Sequence, residues 1–311
     1  MLNYSDPTAA RRRLRYELRS ARDSAGWSQQ KAAAALDWSL SKLLRIESGS
    51  VAVAVTDLRA LLGLYEVSDE AAVRELVEVA RASRGRPWWY EYRGIVRPQF
   101  AQYLGYETVA STFRIFGLAL VPGLLQTQEY AQTVINAHAG IGESVAIGAQ
   151  LTLRLERADR LFERADLKEF SVLLDETVLR RQVGGPAVMR RQLQHLVDVA
   201  RRPGVTFGIL PFSLGAHPAM AGPFSVLQFS EAQDDVLYLD GASGDTLIRD
   251  DQEQVAEYLT RFETMRQQAV MGDEAIEFVA RLADVSVDGG GGGDVDGAGG
   301  GDGTLNIAGR E

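Results

Sequence analysis

The sequence predicts a multidomain chain: an all-α domain of five helices, an α+β domain with a small, mainly antiparallel sheet, and a disordered Gly/Asp-rich tail. Three observations carry this. Apolar residues recur at helical spacing through about the first 85 positions. From about residue 205 the period shortens to two. From Asp288 to Gly303 the chain is nearly all Gly and Asp, a composition unable to bury an apolar core. The expected boundaries are 1–85, 86–283 and 284–311.

Residues 1–10 read as loose. Residues 11 to about 25 form the first helix, with Leu14, Leu18, Ala21 and Ala25 on one stripe. Its Arg11, Arg12 and Arg13 have two readings, a contact with a phosphate backbone or a solvated helix start. Ser28 is a good N-cap because its hydroxyl accepts from an orphan amide of the first turn. Residues 29–36 then make a short alanine-rich helix. Asp37 and Trp38 break it, Asp tolerating the left-handed backbone that a sharp turn needs. Ser39 caps a second short helix to about Ser48, and Gly49 stands where a positive φ ends it. Leu36, Trp38, Leu43 and Ile46 face inward, while Ala32 and Ala33 let the two helices cross closely. The remaining face carries Leu40, Ser41, Leu44 and Arg45, the layout of a helix-turn-helix whose second helix enters the DNA major groove. Periodicity alone also fits two bundle helices with a polar outer face. Thr56 is expected to cap a fourth helix and Ser68 a fifth.

Ser83 to Pro87 breaks the pattern. The aromatic run Trp88-Trp89-Tyr90-Glu91-Tyr92 that follows reads as packing of the linker on the second domain, with stacking on nucleic-acid bases as the alternative. Residues 107–113, 124–137, 150–165 and 186–200 read as helices, and 170–174 as a strand. Residues 205–210, 224–229, 236–239 and 246–248 read as short strands, 252–271 as a long helix, and 273–283 as a last short one. GGGGGD at 289–294 resembles the opening of a calcium-binding glycine repeat, but a solenoid needs at least three units.

Charge is unevenly placed. Residues 1–50 hold nine Lys/Arg and five Asp/Glu (+4), leaving 24 basic and 37 acidic residues (−13) for the rest. Basic charge sits where a DNA reader needs it, and the acidic remainder is suited to a basic partner. No run of about 18 apolar residues offers a membrane span, and the arginine-rich start lacks the apolar core of a secretory signal. The absence of cysteine excludes disulfides, thiolate metal sites and a cysteine nucleophile, and fits a cytoplasmic protein. The three histidines, His138, His195 and His217, are not spaced for a metal. No cofactor is expected: neither a P-loop nor a dinucleotide-binding glycine fingerprint occurs in context, and no Gly-x-Ser-x-Gly elbow is present. Asp175-Glu176, with Arg180 and Arg181, reads as a surface salt-bridge network rather than an acid–base pair, since adjacent strand residues point to opposite faces. His217 reads as a turn histidine, with a pocket-lining role as the alternative. No enzyme is expected.

Through Arg22, Ala25-Gly26-Trp27-Ser28-Gln29, Ala33, Leu36, Ser39, Leu43, Arg45-Ile46-Glu47 and Gly49, residues 14–68 resemble the XRE-type, phage-repressor-like helix-turn-helix family. The resemblance implies that Gln29 and Ser39 donate to phosphates, with Lys42 adding charge. It implies that Leu40, Ser41 and Arg45 reach base edges, Arg45 through a bidentate fork to guanine. It also implies a structural Arg22–Glu47 ion pair. The family's usual basic residues and proline after Gly49 are replaced by Ser50-Val51-Ala52-Val53-Ala54. The remainder, about 86–282, resembles the C-terminal domain of actinobacterial WhiJ-like, antitoxin-like regulators. The carrying phrases are Pro87-Trp88-Trp89, Tyr103-Leu104-Gly105-Tyr106-Glu107, Val121 to Thr127 with Tyr130-Ala131, Leu174 to Arg180 and Gly215-Ala216-His217-Pro218.

The leading expectation is a transcriptional regulator that binds double-stranded DNA as a homodimer, its C-terminal domain binding a ligand or a small partner protein encoded nearby. The alternatives are an antitoxin-like interaction module that neutralises such a partner, and a small-molecule receptor or enzyme. A polar pocket near 122–127 and 215–223 would favour the last.

Overall fold

Buried apolar side chains gather into three clusters, one among the N-terminal helices and one on each face of a sheet. The structure, a computed structural model, describes residues 7–49, 51–138, 144–229, 234–241 and 244–288. The glycine-rich segment of the expected tail lies outside them.

Five helices form the N-terminal part: α1 (Pro7–Ser24), α2 (Gln29–Ala35), α3 (Leu40–Glu47), α4 (Val55–Leu64) and α5 (Glu70–Ala82). Leu14, Leu18, Leu43, Leu58, Leu61 and Leu62 fill their core. α1 starts earlier than expected because Pro7 occupies the first turn, where its missing N–H is no loss. The expected caps at Thr56 and Ser68 are displaced. α4 starts behind Ala54, which makes no side-chain cap, while Asp57 brings negative charge to the first turn. α5 is capped by Asp69, which accepts from Ala71 N.

A 3-10 turn at Trp88–Tyr92 leads to α6 (Pro98–Val109). Trp88 Nε1 donates to Thr108 Oγ1 at 3.2 Å, and the Tyr92 hydroxyl donates to Glu156 at 2.9 Å. Trp88 and Tyr92 thus tie the linker to the second domain. The helix expected at 107–113 is corrected: α6 ends at Val109, and 112–117 is a strand.

The sheet has the order β6-β5-β4-β1-β2-β3-β7. Its strands are β1 (Thr112–Gly117), β2 (Glu169–Asp175), β3 (Val205–Leu210), β4 (Phe224–Gln228), β5 (Val236–Leu239), β6 (Thr246–Ile248) and β7 (Val270–Met271). It is mostly antiparallel, but β1, β2 and β3 pair in parallel at its centre. Side chains alternate between the faces, as a two-residue period demands. Phe113, Ile115, Phe170, Val172, Phe207 and Ile209 join one cluster; Phe116, Leu173, Leu210, Phe224 and Val226 join the other. The first face is covered by α7 (Gln128–His138), α10 (Pro186–Ala200) and α12 (Gly272–Asp288), among others. The second is covered by α11 (Gln252–Gln268). Between α7 and β2 lies α8 (Ser144–Phe162), and the short α9 (Glu176–Arg180) follows β2.

The helical part is seated on the sheet domain through α1 against α6. At Gly105 an added Cβ would stand 2.7 Å from Thr8 Cγ2. Beside it, the Arg12 guanidinium lies 5.5 Å from the Tyr106 ring centre and 3.1 Å from that of Phe229. Replacing Gly105 by Leu should prise α1 from α6 and cost about 1–3 kcal/mol, the usual penalty of overpacking. Thermal unfolding checks it, and an unchanged melting temperature would refute the close seat.

Candidate nucleic-acid interface

Local chemistry builds the helical hairpin. The Ser28 hydroxyl accepts from Lys31 N and the Ser39 hydroxyl from Lys42 N, each at 3.2 Å. Between the helices Asp37 has φ 53°, and Trp38 N returns to the Ala33 carbonyl at 2.9 Å. Gly49 ends α3 at φ 69°. Ala32 and Ala33 are buried, as close crossing requires, and so are Leu43 and Ile46, whereas Leu36 and Trp38 are only half-buried.

One buried carboxylate ties these pieces together. Glu47 at the end of α3 accepts from Arg22 Nε of α1 at 2.8 Å and from Gln29 Nε2 of α2 at 2.8 Å. The Tyr65 hydroxyl, just past α4, completes the group at 3.4 Å. Arg22 also donates to the Trp27 carbonyl at 2.9 Å. Burial works against the Arg22 charge, but Glu47 outweighs it and holds the guanidinium above its ordinary value. Burial, and then the Glu47 charge, push the Tyr65 phenol up.

The face turned outward carries Leu40 and Leu44, each 41 % exposed, with exposed Ser41 and Arg45 beside them. Ser39 lies at the N-terminal edge of the same face. Lys42 is less available than its position suggests: Nζ bonds Asp57 at 2.9 Å and lies 3.6 Å from the centre of the Trp38 ring. Gln29 is held by Glu47. The sequence reading missed both ties because Asp57 and Glu47 come near only through helix packing.

The arginine run of α1 matches neither expectation. Arg11 donates to the Ser83 carbonyl at 2.9 Å and Arg13 to Glu75 at 2.8 Å. Arg12 is buried and donates to the Asp234 carbonyl; burial, then Arg15, bring its pKa down to about 10. Arg15 pairs with Asp250, and Arg19 lies within 3.9 Å of Asp234. Much of the basic charge of the first helix thus faces the chain's own acidic half.

In the sheet domain, the surface salt-bridge reading of Asp175-Glu176 is corrected. Both residues are buried. Asp175 caps α9 through Thr177 N at 2.8 Å and bonds His217 Nε2 at 3.2 Å. Glu176 accepts from Phe212 N at 2.7 Å and from Arg180 at 2.5 Å. His217 is more than a turn residue, since its side chain is only 3 % exposed and its ring meets Phe116 edge-on. These groups tie the ends of β2 and β3 to the following loops. Among the described residues no group of His, Asp and Glu is placed to hold a metal ion, and no helix is long and apolar enough to cross a membrane.

A capped helical pair with an exposed second helix defines the class: a helix-turn-helix, DNA-binding regulator. Residues 13–76 match the family model described as a helix-turn-helix domain. Residues 100–281 match the domain of unknown function DUF5753, and the chain belongs to that family. No curated protein and no solved structure matches.

Replacing Glu47 by Ala should leave Arg22 Nε and the Gln29 amide without their buried acceptor, with only the exposed Asp23 still paired to Arg22. The expected cost is roughly 3 kcal/mol, the scale for removing one partner of a buried pair. Urea unfolding measures it; a loss below about 1 kcal/mol, the scale of a surface pair, would show that the carboxylate does not hold the helices together.

Proposed function

We propose that the protein is a sequence-specific transcriptional regulator that lays α3 in the major groove of an operator, and does so as a homodimer. The observation that carries this is the solvent-facing surface Leu40-Ser41-Leu44-Arg45 on a helix whose other side is locked by Glu47. Arg45 is the guanine reader, because its planar fork matches the two acceptors of that base. Ser41 bonds a base edge, and Leu40 makes apolar contact with a thymine methyl. Ser39 donates to a flanking phosphate. Lys42 joins it by exchanging Asp57 for the backbone, and Gln29 acts there only if it leaves Glu47. Few basic residues stand around α3, so a monomer binds weakly and two half-sites are needed. Such a role is cytoplasmic.

The C-terminal domain serves as a binding module that adjusts this activity, for a ligand or for a small partner protein encoded nearby, as in toxin–antitoxin-like pairs. It is not an enzyme in this reading: Asp175 and Glu176, the carboxylates best placed for chemistry, are engaged in capping and loop attachment.

Replacing Arg45 by Ala should relax base preference at one operator position by roughly 1–3 kcal/mol while leaving the melting temperature unchanged. Binding-site selection on randomised duplexes, run with parent and variant, reads this directly. Identical selected sequences would rule Arg45 out as the reader.

A further inference from the structure

A cavity of about 380 Å³ opens in the sheet domain between α6, α7, α8, the 117–126 loop and the β4–β5 edge. Its wall includes Phe100, Tyr103 and Tyr238, with the two tyrosine rings 4.4 Å apart. Two arginines of α8 reach it, and they differ in one respect. Arg157 is neutralised by a two-pronged bond to Glu107, at 2.9 and 2.7 Å. Arg154 donates only to the neutral carbonyl oxygen of Gln126, at 2.8 Å, and among the described residues no carboxylate comes within ion-pair distance of it. Gln126 is itself oriented by its bond to the Val121 carbonyl at 2.6 Å. Asp240, the acidic group of the lining, stands at the rim with no hydrogen bond to Arg154, acting on it through charge alone, and partial burial raises its own pKa.

Taking a cation out of water without a carboxylate bonded to it is costly. Burial, then the neighbouring Arg157, bring the Arg154 pKa down to about 10, against the charge of Asp240, which acts on it in the opposite direction. A guanidinium retained under that cost, opening on a cavity, is suited to an oxyanion, whose geometry its fork matches. The position of Gly123 supports this. A Cβ there would lie 3.6 Å from Arg157 Nη1 and 3.8 Å from Arg154 Nε, so glycine leaves the space beside both guanidinium groups open.

We propose that this cavity is a receptor site for a small organic acid, with Arg154 holding a carboxylate or phosphate head and the aromatic wall holding a flat apolar body of about one or two rings. The proposal rests on the reading of the C-terminal domain as a binding module and is independent of the operator reading. The helix that supplies Phe100 and Tyr103 turns Gly105 and Tyr106 toward α1, so an occupied cavity adjoins the seat of the helix-turn-helix.

The test uses the full chain without DNA, titrated with benzoate, phenyl phosphate and the uncharged isostere benzamide, followed by calorimetry and thermal shift. At least one acid should bind saturably, with benzamide at least about tenfold weaker; which acid binds identifies the head group. Arg154→Met should weaken that acid at least about tenfold without lowering the melting temperature of the unliganded protein. Gly123→Leu, which keeps the arginine but fills the space beside it, should do the same. Absence of saturable binding by both acids, equal binding of benzamide, or unchanged affinity in both variants would overturn the proposal. Because DNA is absent from the assay, a protein with no operator preference can still pass, and a failure here leaves the operator reading standing.

Discussion

The geometry of the N-terminal part depends on the carboxylate of Glu47. Its oxygens receive an arginine from α1, a glutamine from α2 and a tyrosine from the end of α4, while its backbone is the last turn of α3. One buried charge therefore sets the angle at which α3 is presented. Hydrophobic contacts alone would permit small rotations of so short a helix, whereas directional charge-assisted bonds from three sides do not. The same economy explains why the outer face can carry Leu40 and Leu44: the helix does not need those residues for its core.

The charge pattern of the chain acquires a second meaning in three dimensions. An excess of basic residues at one end suits a nucleic-acid reader, but Arg12, Arg15 and Arg19 point to Asp234 and Asp250 of the sheet domain. Opposite charge on the two halves first holds the halves together. On α3 itself this leaves exposed Arg45, with Lys42 bound to Asp57.

α6 links the two halves physically. One side of it lines the cavity through Phe100 and Tyr103, and the other meets α1 at Gly105 and Tyr106. In the same domain, the polar groups at the ends of β2 and β3 are satisfied internally, with Asp175 on Thr177 and His217 and Glu176 on Phe212 and Arg180. Arg154 is different. Among the described residues no carboxylate is bonded to it, and it borders the cavity.

Local rules sufficed for the helical hairpin. The caps at Ser28 and Ser39, the positive φ of Asp37 and Gly49, and the burial of Ala32, Ala33, Leu43 and Ile46 all arise within a few residues of chain. The same holds for α10 and for the short strands β3, β5 and β6, where periodicity and turn residues agree. Tertiary structure alone decided β1, whose residues 112 and 113 fell within the expected helix; it is a strand because β2 and β4, distant in sequence, pair with both its edges. It likewise decided that the centre of the sheet is parallel, that the α1 arginines serve the chain itself, and that His217 meets Asp175. It also left Arg154 beside a cavity while its neighbour Arg157 found Glu107. Caps, turns and periodicity are properties of adjacent residues, whereas strand partners and counter-ions are chosen among groups that only the packed chain brings together.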